Sequence, residues 1–244
     1  MIEASHHDRA ESTATGQPAD RGPPSGALTI AAGIAITVAD TTIAANAGSG
    51  TTIVADALTL RAGIATTATG GVPATSHRFA ATSIAGAGSG GDLGLAGSLA
   101  LVIADVAVTA LLGAAVTLDL DADGTVGALD ISARSAATTI ATAGIAQDGT
   151  GASVGIGAAA AIAITDHRTQ AAIGDGATVS DVDTIAIKAE TTDDTRSLAE
   201  GAAAAGNVAV APFVAVTLAT VETLARIGTG TVIEAGGQVA VSAA

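Results

Sequence analysis

Residues 162–189 read IAITDHRTQAAIGDGATVSDVDTIAIKA. The stretch opens on Ile162-Ala163-Ile164-Thr165 and closes on Ile185-Ala186-Ile187-Lys188-Ala189, with Gly174-Asp175-Gly176 between. Alternation with a period of two puts successive side chains on opposite faces of a strand. Ile185, Ile187 and Ala189 then share one face, and Ala186 and Lys188 the other. Gly-Asp-Gly is turn chemistry, and neither a capping signal nor a helical stripe competes with it.

The same plan recurs along the chain. Ile34 to Thr37, Leu99 to Val102 and Val214 to Thr217 each lead to a glycine turn eleven residues after their last member, at Gly48, Gly113 and Gly228; from Thr165 to Gly174 the distance is nine. A closing strand follows each turn and starts at Leu58, Leu129, Ile185 and Val239. Four degenerate copies result, roughly 30–62, 95–133, 158–189 and 210–243. The second carries about five extra residues, Asp119 to Asp123.

Composition says how such copies could be buried. Hydrophobic residues are 49% of the 244, yet there are two Phe, one Met and no Tyr or Trp. Compact cores usually draw on aromatic side chains for buried area. A core of Ala, Val, Ile and Leu suits thin stacked layers instead, and β-branched residues favour strands. A unit of this size without aromatic residues does not fold alone, whereas stacked copies bury one continuous narrow core. The expected fold is therefore all-β: a parallel β-helix or β-solenoid over residues 27–244. Residues 1–26, polar and holding three of the five prolines, are expected to form a disordered leader. The apolar run Leu93 to Leu118 is long enough to cross a bilayer, but Asp105 interrupts it and the repeat pattern assigns it to strands. Thr195 to Ala205 is expected to hold a short helical turn.

Charge narrows the partners. Twenty-three acidic residues against nine basic give a net charge of −14. This argues against nucleic acid, which calls for a basic footprint, and against anionic lipid; membrane insertion is not expected. There is no cysteine, so no disulfide staples the fold.

The pattern of Gly149 to Ala189, with its G-A-S-V-G-I-G, its A-A-I-G-D-G-A-T-V and its I-A-I-K-A, resembles the repeats of very large bacterial β-strand-repeat surface proteins, the hemagglutinin-like and adhesin-like exoproteins. The resemblance covers most of residues 27–244 in degenerate form. It implies a structural or adhesive module of a secreted or surface protein, located outside the cell. Its partners would be neighbouring repeats of a longer chain and host or cell-surface ligands, and any export signal would lie elsewhere. It brings no catalytic residues, and no enzymatic activity is expected.

Candidate chemistry is sparse. Asp119, Asp121, Asp123 and Asp130 fall at positions one, three, five and twelve of a loop with Gly124 at six. This is the oxygen-donor spacing of a calcium loop. They are the candidate metal ligands, for calcium held weakly, and no other cofactor is expected; the other reading is a solvated acidic turn. Gly86 to Gly91 satisfies G-x-G-x-x-G but lacks the helix that dinucleotide binding requires. Asp166-His167-Arg168 could serve a carbohydrate-active enzyme on a β-helix, yet by alignment it falls in a variable turn. His77 is placed in a long loop. The Thr pairs would suit ice binding only if they recurred at the coil period, and they do not. A β-helix enzyme and a calcium- or ice-binding module are thus the alternatives.

Overall fold

The computed structural model describes residues 1–16, 28–64, 76–87, 92–122, 124–150, 152–202 and 205–244. Every regular element among them is a strand. The chain passes back and forth between two parallel sheets. β1 (Ile2–His6) and β2 (Arg9–Gly16) open the larger sheet. β3 (Leu28–Ala47) starts the smaller one. The chain returns to the larger sheet in β4 (Thr52–Val54), β5 (Leu58–Ile64) and β6 (His77–Ala87). β7 (Leu93–Leu112) lies beside β3, and β8 (Thr117–Asp119) and β9 (Gly127–Thr150) lie beside β4, β5 and β6. β10 (Ala152–Ile173) and β11 (Thr178–Gly201) form the next layer. β12 (Ala205–Val210) and β13 (Phe213–Ile227) close the smaller sheet, and β14 (Val232–Ala235) and β15 (Val239–Ala243) pair with β11.

Two parallel strands cannot be joined by a tight hairpin and need a long crossover. Here the crossover from one strand of a sheet to the next is a strand of the opposite sheet. The inner faces of the two sheets meet in one core of Ala, Val, Leu and Ile. In the larger sheet Leu58, Leu129 and Ile185 form one inward column, and Leu60, Ile131 and Ile187 the next. In the smaller sheet the inward columns are mostly smaller, such as Ala35, Ala100 and Ala161.

The turns that lead from the smaller sheet to the larger place glycine at two positions for separate reasons. The first turn residue stacks directly on the turn of the layer before. A Cβ on Gly174 would lie 2.6 Å from the Ala114 nitrogen, and one on Gly228 would lie 2.6 Å from the Asp175 nitrogen. The third turn residue is left-handed: Gly50, Gly176 and Gly230 have φ of 67°, 66° and 67°, and Ala115 takes their place in the second layer at 52°.

The sheet register corrects the repeat alignment of the third copy. Ala163, not Thr165, pairs with Val102, which in turn pairs with Thr37. Counted from Ala163 the turn glycine is again eleven residues away, so the shorter spacing was a two-residue slip in an alternating sequence. Three further expectations are corrected. Residues 2–6 and 9–16 of the polar leader are not disordered but paired strands, β1 on β5 and β2 on β6; residues 17–26 lie outside the described residues. Thr195 to Gly201 continues β11 rather than turning into helix, held by its pairing with Thr139 to Ile145. Asp166-His167-Arg168 sits in the middle of β10, not in a turn. No helix among the described residues is long and apolar enough to cross a membrane.

The two roles of the turn residues make distinct demands. Gly174→Ala should destabilise by more than about 2 kcal/mol, because backbone must move to admit the methyl group. Ala115→Gly should be neutral or stabilising by up to about 1 kcal/mol, as relief of left-handed strain offsets glycine's entropy. Urea unfolding of the two variants checks both signs.

Candidate functional site

The strand period splits the densest polar cluster. Asp166 and Arg168 point outward, whereas His167 points between the sheets and is fully buried. There its Nδ1 lies 3.0 Å from Asp193 Oδ1 of β11. Asp193 also accepts a hydrogen bond from the Thr195 hydroxyl at 2.9 Å. Burial alone would raise the Asp193 carboxyl, but the contacts with His167 and Thr195 outweigh it and hold the group below its ordinary value.

A second imidazole occupies the same inner layer. His77 begins β6 instead of lying in a loop, and it shares a column with Ala137 and Asp193. It is completely buried. Its Nδ1 accepts the Asp8 backbone N–H at 3.0 Å, and its ring stacks on Phe79 and His7. The Asp8 carboxylate accepts hydrogen bonds from Thr41 of β3 and from His6. Burial desolvates the imidazolium and pushes His77 down to about 4, against the opposing attraction of Asp8. The hydroxyls of Thr223, Thr191 and Thr169 continue the polar layer, each bond 2.8 Å long. These groups bridge the two sheets. Composition gave no sign of them, because the period of two had to be combined with the correct register before His167 and Asp193 could be faced.

The acidic loop is only partly brought together. Asp119 ends β8, and its carboxylate accepts the Asp121 N–H at 3.1 Å. Asp130 lies in β9 on the outer face of the larger sheet and pairs with Arg61 at 3.1 Å. Asp123 lies outside the described residues. Among the described residues no three acidic or histidine side chains are grouped to hold a metal ion. The glycine motif at 86–91 also falls largely outside them.

The outer face of the smaller sheet is largely apolar. Register stacks its outward side chains into aliphatic rows across the strands. Ile36, Leu101, Ile162 and Val216 form one row, and Val38, Ile103, Ile164 and Leu218 another. On the other side run Leu28, Leu93 and Val154, then Ile30, Leu95 and Ile156. Val38 is 68% exposed, Ile30 64% and Leu218 59%. The field ends abruptly at a row of carboxylates, Asp40, Asp105 and Asp166, beyond which Arg168 pairs with Glu222 at 2.9 Å. The outer face of the larger sheet is the opposite: Arg9, Arg78, Arg61, Lys188 and Arg196 all lie there in ion pairs with acidic neighbours. Purely parallel sheets are ordinarily covered on both faces, and no element among the described residues covers this apolar face.

No family model, curated protein or solved structure matches this chain.

The depressed His77 value fixes a pH dependence of stability. Folding holds the imidazole neutral, while the unfolded chain takes up a proton below its ordinary value of 6.5. The contribution is complete above pH 6.5 and is lost as pH falls from there toward 4. Between pH 7.5 and 5 the loss should be about 2 kcal/mol. Chemical unfolding at both pH values should show this drop in the parent chain and a markedly smaller one in His77→Gln.

Proposed function

We propose that this chain is a structural or adhesive repeat module of a secreted or surface-exposed bacterial protein, built as a two-sheet β-solenoid. The observation that carries the proposal is the unbroken parallel register. Twenty consecutive residues of β7 pair with β3 on one side and twenty with β10 on the other, and fifteen of β10 continue onto β13. Each coil runs once through both sheets and lays its strands directly on those of the coil before. Such a stack is stiff along its axis because each layer is fixed to the next by a row of backbone hydrogen bonds. Its stability grows by nearest-neighbour increments.

The terminal strand β13 supports a role within a longer assembly. Its inward-facing Thr217, Ala219 and Val221 are exposed, while their counterparts Val102, Ala104 and Val106 in β7 are buried. A neighbouring repeat added at this edge would extend the backbone ladder and cover these side chains. The acidic, cysteine-free composition and the resemblance to exoprotein repeats favour a site outside the cell, with cell-surface ligands as further partners.

Two measurements test the proposal. Duplicating residues 99–159 inserts one whole coil, since Leu99 and Ala160 occupy equivalent positions. The longer chain should stay folded, with an unfolding temperature no lower than the parent's and a larger radius of gyration by small-angle scattering; collapse into an unfolded chain would refute the solenoid. In the source organism, protease added to intact cells should remove the protein from the surface fraction. Full protection inside the cytoplasm would refute the location.

A further inference from the structure

We infer that the bare outer face of the smaller sheet binds a second copy of this chain, face to face and with the strands of the two copies antiparallel. The inference is independent of where the protein resides. Area points first to a protein partner. Four strands spaced about 4.8 Å apart, with eleven residues rising about 3.3 Å each from Leu28 to Val38, give a footprint of about 700 Å². That exceeds the roughly 300–600 Å² of the largest apolar patch on an ordinary monomer. It approaches the roughly 800 Å² that each partner contributes to a standard stable interface.

The relief of the face makes it complementary to itself. One row through the middle of the field is small: Ala32, Gly97 and Ala158. A Cβ built on Gly97 meets nothing within 4 Å, so this row is an open trough. The adjoining row carries Ile34 and Leu99 on β3 and β7, then Ala160 and Val214. If the two-fold axis runs along the stacking direction between these two rows, the trough of each copy receives the ridge of the other. Ile34 then enters opposite Ala32, and Leu99 opposite Gly97, twice by symmetry, as an isologous interface requires. Sheets with interdigitating aliphatic side chains pack face to face at about 10 Å.

Charge selects the orientation and the occupant. With strands antiparallel, the row of Asp40, Asp105 and Asp166 lies at the rim, at opposite ends of the two copies. With strands parallel, the two carboxylate rows would face each other across the interface and repel. A membrane fits less well. The apolar field holds neither the Trp and Tyr of interfacial anchors nor a basic residue among its described members, and the carboxylate row borders it directly.

Sedimentation of the full chain over a range of concentrations should show a monomer–dimer equilibrium. Gly97→Arg, whose side chain has free space in the monomer, should weaken the dimer by at least about a hundredfold by placing a charge in the trough. Its circular dichroism and monomer melting should match the parent. Thr109→Arg, on the same face but beyond the carboxylate row, should leave the dimer intact. Spin labels on Asp105→Cys should lie about 45 Å apart in the antiparallel dimer. A strictly monomeric chain overturns the inference, whether it stays free or floats with phosphatidylcholine vesicles. So does a dimer indifferent to Gly97→Arg, or a label distance under about 20 Å, the parallel arrangement.

Discussion

The backbone ladder between successive layers is the constraint on which the rest of the molecule depends. In a strand the side-chain period is two, so a slip of one residue exchanges the inner and outer faces of an entire layer. Over twenty paired residues in β3, β7 and β10, such a slip would turn Ile34, Ile36 and Val38 into the core and send Ala35 and Thr37 out. The turns pin the register from one end. Gly113, Gly174 and Gly228 each donate a backbone hydrogen bond to the last strand residue of the layer before, at 2.9, 2.7 and 2.8 Å. Their missing side chains let consecutive turns nest. Register and turn therefore enforce each other, and the small inward residues follow from the close approach of the two sheets.

The polar layer between the sheets adds a second constraint at mid-strand, far from the turns. Ser98 of β7 donates to the Ser83 carbonyl of β6, and Thr37 of β3 to the Ala80 carbonyl, both bonds crossing from sheet to sheet. Asp193 with His167 and Asp8 with Thr41 do the same with charge. Aliphatic contacts are non-directional and would tolerate sliding of one sheet over the other. Hydrogen-bonded groups would not, because a shift leaves a partly buried carboxylate without its donors.

Much of this was legible in the sequence. The closing strands at Leu58, Leu129, Ile185 and Val239 pair in the register their alternation gave, and the side of Ile185, Ile187 and Ala189 is the buried one. What was hidden has physical reasons. In Ala159 to Ile164 every second residue is Ala, so a shift by two leaves the pattern almost unchanged, and only hydrogen bonding to β7 decides. β1 and β2 are too polar to announce themselves as strands. They form because β5 and β6 offer a preformed edge, a tertiary influence that outweighs local propensity. His167 and Asp193 are twenty-six residues apart and meet only because the chain changes sheets between them. In the acidic loop, spacing did not tell that Asp119 ends β8 while Asp130 lies in β9 beside Arg61.

The two outer faces cannot be explained by the stack itself. Backbone pairing and the inner core would be served equally well by polar residues on both outsides, since outward side chains take no part in either. Yet six of the nine basic residues, Arg9, Arg61, Arg78, Arg134, Lys188 and Arg196, lie on the outer face of the larger sheet beside acidic partners. Exposed ion pairs contribute little to stability; what they secure is a surface that stays in water. The smaller sheet carries Ile, Leu and Val on its outer face until the row of Asp40, Asp105 and Asp166 begins. An exposed apolar sheet face is an aggregation hazard that proteins ordinarily break up with charge. Among the described residues of this face, the charged row of Asp40, Asp105 and Asp166 borders the field and does not interrupt it. Sequence that withholds protection from the field and concentrates it at the rim behaves as an interface does, with an apolar centre and a polar edge. The asymmetry between the sheets is therefore a property of what the stack meets and not of how it folds.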